Sequence, residues 1–191
     1  MKALLTPNYR RQVNIGLLAL QGAVSEHKIT MRELGIEVSD VKEPADLNGL
    51  DGLIMPGGES TTLRKLLKNA NIWNILKKSK IPIMGTCAGA ILLGKSDDET
   101  LGKMDIQIDR NYYGRQKDSF QSKITLKDNG QFDGIFIRAP AITSIGEKTK
   151  PIAWKGKDIV GCTDGKNMAL TFHPELTNDV RFHKIWKDGL K

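Results

Sequence analysis

The sequence predicts an α/β fold: a single three-layer domain whose central sheet is mixed and mostly parallel. The segment 13–20 (VNIGLLAL) is almost continuously apolar, as expected of a central parallel strand that is covered on both faces. Short apolar runs then alternate with helical patterns as far as Gly94, which is the order that produces a parallel sheet. Beyond Gly94 the runs alternate every second residue and are separated by Gly and Asp turns, which indicates mixed or antiparallel pairing.

The first half of the chain reads as strands and helices in turn. After the first strand, Gln21-Gly22 turns the chain, and a helix is predicted over Ala23–Leu34 because Val24, His27, Met31 and Leu34 recur at helical spacing. Gly35 is a typical C-terminal stop for that helix. The next expected elements are strands at 37–42 and 52–55, helical pieces at 63–67 and 72–76, a strand at 81–84 and a helix at 90–93.

The second half is predicted to contain short strands and one closing helix. The strands are expected at 103–109, 120–126, 135–137, 141–145, 152–154, 158–162 and 168–172. The helix is expected over Thr177–Asp188, with Val180, Ile185 and Trp186 facing inward. Residues 1–12 are polar and basic and are predicted to be a loose leader, so that 13–191 form the domain.

Composition excludes several classes of protein. The net charge is +7, but the basic residues are scattered and not interleaved with aromatics, which favours a solvated lysine-rich surface over a nucleic-acid site. No apolar run approaches the roughly 18 residues of a membrane span, and the N-terminus lacks the apolar core of a signal peptide. Cys87 and Cys162 form neither a disulfide framework nor a metal-ligand pattern, so a cytoplasmic protein without a metal site is expected.

A Gly-x-Cys-x-Gly segment, residues 85–89, lies between a predicted strand and a predicted helix. A strand that turns directly into a helix holds the central residue, Cys87, in a strained conformation with its side chain pointing outward. The glycines are expected because a Cβ at either position would collide with the adjoining strand or helix. The helix N-terminus favours the thiolate form of a cysteine. The alternative is a buried structural cysteine, which is the commoner fate of a lone cysteine.

His173-Pro174-Glu175 follows the last predicted strand. In an extended segment residues two apart point the same way, so Glu175 is able to hold the imidazole of His173 in one tautomer. That pair is the base and the orienting acid of a Cys-His-acid triad, while a surface turn is the alternative. The other histidines, His27 and His183, fall in predicted helices and are expected to be structural or solvated.

Thiolate attack also requires hydrogen-bond donors for the oxyanion. The backbone N–H of Ala88, directly after the cysteine, is one candidate. The Gly57-Gly58 loop at the end of the neighbouring strand is the other, since glycine allows close approach to a substrate and a change of peptide orientation. The alternative for this loop is a tight turn with no catalytic role.

Five segments together resemble the glutaminase subunits of pyridoxal 5′-phosphate synthase, a subfamily of the class I (triad) glutamine amidotransferases. They are 18–23 (LALQGA), 55–62 (MPGGESTT), 85–89 (GTCAG), 110–116 (RNYYGRQ) and 172–177 (FHPELT). The resemblance extends from about residue 13 to 187. The segments 55–62 and 110–116 separate this subfamily from other triad glutaminases.

The resemblance implies a fold of the amidotransferase type, which is flavodoxin-like, and hydrolysis of L-glutamine to L-glutamate and ammonia. It implies Cys87 as the nucleophile, His173 as the base and Glu175 as its partner. The residues that it implies for glutamine binding are Gly57, Gly58, Glu59, Arg110, Ile137 and Arg138. An arginine suits the α-carboxylate of glutamine, and Glu59 suits the α-ammonium group.

The resemblance also implies a partner and no cofactor. The partner would be a (β/α)₈-barrel synthase subunit in a large hetero-oligomer, which receives the ammonia in a closed path and joins it to a pentose phosphate and a triose phosphate. Two alternatives remain: a glutaminase serving a synthase for a histidine or purine precursor, and a catalytically silent assembly or binding subunit on the same fold. For Arg110 and Arg138, surface ion pairs remain an alternative to substrate binding.

Overall fold

A nine-stranded sheet forms the centre of the computed structural model, which describes residues 13–110, 112 and 119–190. The predicted leader, 1–12, lies outside the described residues, as do residues 111 and 113–116 of the segment 110–116. The strands are β1 Ile15–Leu18, β2 Ser39–Val41, β3 Gly52–Met55, β4 Ile83–Thr86, β5 Ile106–Asp109, β6 Phe120–Leu126, β7 Gln131–Phe136, β8 Ala141–Ile145, β9 Lys150–Lys155, β10 Asp158–Thr163 and β11 Met168–Leu170.

The helices lie mainly in the first half of the chain. They are α1 Val24–Glu33, α2 Ser60–Asn69, α3 Trp73–Lys78, α4 Ala88–Leu93 and α5 Arg181–Asp188, with single 3₁₀ turns at Pro44–Leu47 and Pro174–Leu176. No helix within the described ranges is long and apolar enough to cross a membrane.

The sheet has a parallel half and an antiparallel half, as the change of pattern at Gly94 predicts. Its strand order is β2-β1-β3-β4-β11-β10-β9-β6-β7. The first five of these strands run parallel to their neighbours, and pairing is antiparallel from β11 onward. Strands β5 and β8 form a separate antiparallel pair. β11 is therefore the strand at which the two halves of the sheet meet.

Two apolar clusters cover the two faces of the sheet and give the fold its three layers. In β3, the side chains of Leu53 and Met55 belong to the cluster that contains α2, α3 and α4. Ile54, between them, belongs to the cluster that contains α1 and α5. This division follows from the strand geometry, because successive side chains point to opposite faces.

The parallel strands bring the loops that carry the candidate site residues to one edge of the sheet. β1, β3 and β4 are parallel, so the chain leaves all three at their common carboxyl edge. β11 is parallel to β4, and the N–H of Cys87 donates to the carbonyl of Leu170 over 2.8 Å. The chain that follows β11 therefore emerges next to the end of β4.

The closing helix is shorter than predicted, because polar side chains hold the preceding residues out of the helix. Thr177 Oγ1 donates to the carbonyl of Pro174 and accepts from the N–H of Asp179, and the carboxylate of Asp179 accepts from the N–H of Arg181. Such local bonds compete with helical ones. The helix therefore begins at Arg181 and not at Thr177.

One predicted inward side chain of this helix is on the outside. Phe182, His183 and Trp186 are buried, whereas Ile185 is 52% exposed. At about 100° per residue, the inner face set by those three side chains leaves position 185 on the flank. The expectation that Ile185 faces inward was therefore wrong, and a histidine takes a place on the buried face.

Candidate active site

Cys87 occupies a strained turn between β4 and α4. Its φ is 47° and its ψ is −104°, which lies outside the ordinary allowed regions for a residue with a side chain. β4 ends at the preceding residue and α4 begins at the next one. The elbow predicted from the glycine spacing is therefore present, and backbone strain of this kind is concentrated at functional sites.

The elbow depends on both of its glycines, Gly85 and Gly89. A Cβ added to Gly89 would lie 2.1 Å from the carbonyl oxygen of Met55 in β3. A Cβ added to Gly85 would lie 2.6 Å from the backbone of Gly89 itself. Helix α4 is thus packed directly on backbone, which holds the sulfur of Cys87 at the edge of the sheet.

His173 and Glu175 lie beside this elbow. His173 Nδ1 is 2.7 Å from Glu175 Oε1, and both side chains are almost completely buried. The N–H of His173 donates to the carbonyl of Ile135 over 2.8 Å, which fixes the backbone at the end of β11. The predicted pairing of imidazole and carboxylate is present, and the ring of His173 and the Cβ of Cys87 both border Gly57, where an added Cβ would lie 2.5 Å and 3.1 Å from them.

The electrostatics favour a charged imidazole. Burial alone would lower the pKa of His173, but hydrogen bonds to Cys87 and Glu175, and the charges on both, raise it to about 10. An imidazolium stabilised in this way is able to form an ion pair with a thiolate and to donate a proton to a leaving group.

A cavity of about 520 Å³ opens in front of the sulfur. That volume is in the range of small-ligand sites. Glu175 lies behind His173. Eight other residues predicted for the site line the cavity: Gly57, Gly58, Glu59, Cys87, Arg110, Ile137, Arg138 and His173. A larger cavity of about 690 Å³, between β7 and the residues before α5, has neither cysteine nor histidine among the described residues that line it.

The Gly57-Gly58 loop is held against the loop that follows β1, which contains Gln21. The side-chain amide of Gln21 donates to the carbonyl of Glu59 over 3.0 Å. Gly58 has φ +131°, a conformation that side-chain-bearing residues rarely adopt, and a Cβ there would lie 2.7 Å from Gln21. Glycine is therefore required at position 58, next to the nucleophile.

Glu59 has a structural contact that the sequence reasoning missed. Its carboxylate caps α2 by accepting from the N–H of Thr61 at 2.9 Å and of Thr62 at 2.6 Å. Burial raises its pKa, but the bonds from Thr62 and Thr61 outweigh this and lower the pKa to about 2. A permanently charged carboxylate therefore stands at the cavity wall. The signal in the sequence was a Glu directly before a Ser-Thr-Thr helix start.

Arg110 reaches the cavity from the end of β5 and is held by acidic groups. Its guanidinium donates to Asp98, and to Glu59 at 3.3 Å and Thr61 at 3.1 Å. Asp98 also pairs with Arg64 at 3.0 Å. The side chain of Arg110 is thus fixed at the cavity, and no pattern in the sequence indicates its pairing with Asp98.

The peptide of Ile137 and Arg138 closes the opposite wall. The sulfur of Cys87 is 3.7 Å from the carbonyl oxygen of Ile137, the range of a weak thiol hydrogen bond. Arg138 has φ 44°, in the left-handed region that residues other than glycine rarely use. The backbone is therefore strained on both sides of the cavity.

His27 and His183 were expected to be structural or solvated, and the solvated alternative is wrong. Both are fully buried and contact each other, with 2.9 Å between His27 Nδ1 and His183 Nε2. His27 Nε2 is 3.6 Å from Glu175 Oε2. The sequence contained part of this signal, because His27 shares the helical spacing of buried Met31.

Cys162 is not among the residues that line the cavity, whereas Cys87 is. Cys162 is fully buried in β10 within an apolar cluster, and burial raises the pKa of its thiol to about 12. Neither cysteine forms a disulfide. Among the residues that the structure describes, no group of three or more His, Cys, Asp or Glu is arranged to hold a metal ion.

Comparisons with known proteins agree on one family. A family model described as SNO glutamine amidotransferase matches residues 17–189. Pyridoxal 5′-phosphate synthase subunit PdxT of Methanocaldococcus jannaschii is 47% identical over 177 residues, which cover 91% of this chain and 94% of that protein. The protein of the same name from Brevibacillus brevis is 45% identical over 187 residues, covering 94% and 98%. A solved structure described as a glutamine amidotransferase superposes with a TM-score of 0.86 at 39% identity, covering 92% of this chain and 98% of that one.

Proposed function

The chain belongs to the SNO glutamine amidotransferase family, and from this premise we propose that it hydrolyses L-glutamine to L-glutamate and ammonia with Cys87, His173 and Glu175. The observation that carries the proposal is the cysteine in a strained elbow, which shares a cavity with an imidazole that is itself paired with a buried carboxylate over 2.7 Å. Their cavity has room for a small amino acid.

The reaction follows from these roles in two steps. The thiolate of Cys87 attacks the side-chain amide carbon of glutamine, and the imidazolium of His173 protonates the nitrogen, which leaves as ammonia. This produces a glutamyl thioester on Cys87. A water molecule, losing a proton to His173, then attacks the thioester, releases glutamate and restores the thiolate–imidazolium pair. Glu175 holds the ring and stabilises its charge without accepting the proton.

The remaining residues bind substrate or stabilise the oxyanion. The N–H groups of Ala88 and Gly58 are the proposed oxyanion donors. Arg110 binds the α-carboxylate of glutamine, and Glu59, whose pKa of about 2 keeps it charged, attracts the α-ammonium group. The peptides of Gly57, Ile137 and Arg138 complete the cavity.

We infer further that the chain is a subunit of a pyridoxal 5′-phosphate synthase, which is the name that its relatives carry, and that it serves as the glutaminase of that enzyme in the cytoplasm. The ammonia then passes to a (β/α)₈-barrel synthase subunit in a hetero-oligomer. Free glutaminase activity would waste glutamine, so the oxyanion hole is completed only when the synthase docks. The conformation of Gly58, at φ +131°, supports a peptide that turns over on docking. One misdirected donor costs roughly 10²–10³ in rate.

The test is glutamate release at saturating glutamine by the purified chain, with and without the synthase subunit. Cys87→Ser should abolish release, because the change is nearly isosteric and removes the attacking sulfur. Retention of a tenth of the wild-type rate would overturn the assignment. Cys162→Ser is the matched control and should remain active, because its side chain lies in the core away from the cavity.

The partner arm of the experiment separates the alternatives. A rate that rises with the synthase supports docking-dependent activation, and an unchanged rate refutes that activation while leaving the glutaminase assignment intact. A wild-type chain that releases no glutamate in the complex would be a silent assembly subunit. A different synthase recovered with the chain from its native extract would identify a glutaminase of another pathway.

A further inference from the structure

A line of buried polar groups continues behind the proposed triad. His27 on α1 and His183 on α5 are both fully buried, and their rings meet at 2.9 Å between Nδ1 and Nε2. His27 then presents its other nitrogen, Nε2, towards Glu175. The proposed mechanism uses neither histidine, although buried polar groups cost free energy unless their hydrogen bonds are satisfied.

The outer oxygen of Glu175 is where this line meets the triad. Oε1 pairs with His173 at 2.7 Å, whereas Oε2 is buried and has no hydrogen-bond partner among the described residues. The ring nitrogen that faces it is His27 Nε2, at 3.6 Å, and the same nitrogen lies 3.5 Å from the hydroxyl oxygen of Thr86. The distance to Glu175 is slightly longer than a hydrogen bond. Catalytic hydrogen bonds are often long in the substrate-free state and shorten when substrate binds.

The proton positions follow from the surrounding groups. A neutral imidazole has one N–H, and the electrostatically favoured place for it is Nε2, which faces the carboxylate of Glu175. His27 Nδ1 is then an acceptor, so His183 must donate from Nε2 and leave its Nδ1 bare. His183 Nδ1 indeed has no hydrogen-bond partner among the described residues. In the opposite tautomer Nε2 would accept from the hydroxyl of Thr86 at 3.5 Å, but its lone pair would also face a carboxylate oxygen, and the Nδ1–H of His183 would be a buried donor with no partner among the described residues.

We propose that His27 is a positioning residue for Glu175: its Nε2–H, whose tautomer His183 fixes, holds the outer carboxylate oxygen during turnover. The proposal rests on the proposed glutaminase function, since it concerns the same triad. His27 touches neither substrate nor the reacting atoms. It acts through Glu175, which acts on His173, so the line contributes to kcat and not to glutamine binding.

The charge state of the two histidines suits this role. Burial, followed by the charges of His183 and His173, holds the pKa of His27 well below its usual value. Burial lowers the pKa of His183 to about 4. Both rings are therefore neutral at ordinary pH. A neutral donor holds the carboxylate of Glu175 without forming a salt bridge that would neutralise it, and so leaves its charge available to His173.

Three substitutions at position 27 separate positioning from packing. His27→Leu removes both nitrogens and keeps much of the volume. His27→Gln places its amide near the position of Nε2, within reach of Glu175. His27→Asn, whose side chain is one methylene shorter, places its amide near Nδ1, where it meets His183 but not Glu175. The matched packing control is Met31→Ala, one turn further along the same buried face of α1.

Glutamate release by these variants, each in complex with the synthase, provides the test. His27→Leu and His27→Asn should lose about 10- to 100-fold in kcat, the value of a hydrogen bond to a charged group, with KM for glutamine within about twofold. His27→Gln should regain most of the loss. Met31→Ala should melt at a lower temperature yet keep kcat within about twofold of wild type.

The outcomes distinguish this proposal from the function on which it rests. The first outcome is that wild type hydrolyses glutamine while the His27→Gln and His27→Asn variants have equal kcat. In that case the positioning role is wrong and the glutaminase assignment stands. If Met31→Ala loses as much kcat as His27→Leu, the effect is one of packing and the proposal is again wrong. If wild type itself releases no glutamate, the proposed function has failed and not the positioning argument alone.

Discussion

Substitution of Gly89 by alanine tests whether the elbow needs direct contact between backbones. The new Cβ would lie 2.1 Å from the carbonyl oxygen of Met55, whereas real Cβ contacts are essentially never shorter than 3.0 Å. Helix α4 and strand β3 must therefore separate by about 1 Å. Overpacking of this kind costs about 1–3 kcal/mol, which is partly offset by about 1 kcal/mol of better helix propensity.

The expected result is a modest loss of stability with a large loss of activity. The net cost is about 0–2 kcal/mol, and for a chain of this length 1 kcal/mol corresponds to about 2–4 °C in Tm, so Gly89→Ala should melt up to about 8 °C below wild type. A shift of about 1 Å in the nucleophile should lower kcat by about 10²-fold. Circular dichroism melting and glutamate release in the presence of the synthase measure the two effects.

Gly189 is the matched control, since it follows α5 with φ −81° and an added Cβ would approach the carbonyl of Trp186 no closer than 3.3 Å. At Gly189 the neighbouring carbonyl needs to give by only a few tenths of an ångström, so Gly189→Ala should change stability and activity much less than Gly89→Ala does. The reasoning is refuted if Gly89→Ala melts with wild type and keeps more than half of its activity. Equal losses at both positions would show that the contact with Met55 is not the cause.

Three further predictions concern the triad and the substrate. His173→Ala should be as damaging as Cys87→Ser, because base and nucleophile act as a unit. Glu175→Gln should lose less activity. Because the carboxylate helps to raise the pKa of His173 to about 10, the alkaline limb of the kcat/KM profile of this variant should move to lower pH. An alkaline limb at the wild-type pH would contradict the charge argument. Arg110→Lys should raise KM for glutamine about tenfold with little change in kcat, since an ammonium group cannot replace the planar fork that meets Asp98, Glu59 and Thr61. Initial rates against glutamine concentration measure this, with exposed Arg32→Lys as the control; an unchanged KM at position 110 would count against substrate binding there.

The sequence predicts the elbow well because all of its causes are local. The strand, the glycines and the apolar helix start are contiguous around Cys87, and each is visible as a residue type at a fixed spacing. The pairing of His173 with Glu175 is equally local, since the two residues are separated by a single proline. The parallel half of the sheet follows for a similar reason, because its strands are short apolar runs between helices.

What the sequence could not predict depends on contacts between distant segments. His27 becomes relevant only because α1 and α5 lie on the same face of the sheet, which brings it to His183 and Glu175. Arg110 and Asp98 are paired by a loop whose path has no pattern of its own. The wrong placement of Ile185 has a simpler origin: a hydrophobic residue at roughly helical spacing was assigned to the core without knowledge of where the helix begins.

The position of β11 has a consequence for the growing chain on the ribosome. β11 pairs with β4 and brings His173 to the cysteine, although His173 follows Cys87 by nearly half the length of the chain. At synthesis rates of roughly 5–20 residues per second, the cysteine emerges several seconds before its imidazole does. During that interval Cys87 lacks the partner that would take its proton and form the ion pair. An incomplete chain should therefore consume no glutamine, and activity should appear only after the C-terminal segment has entered the sheet.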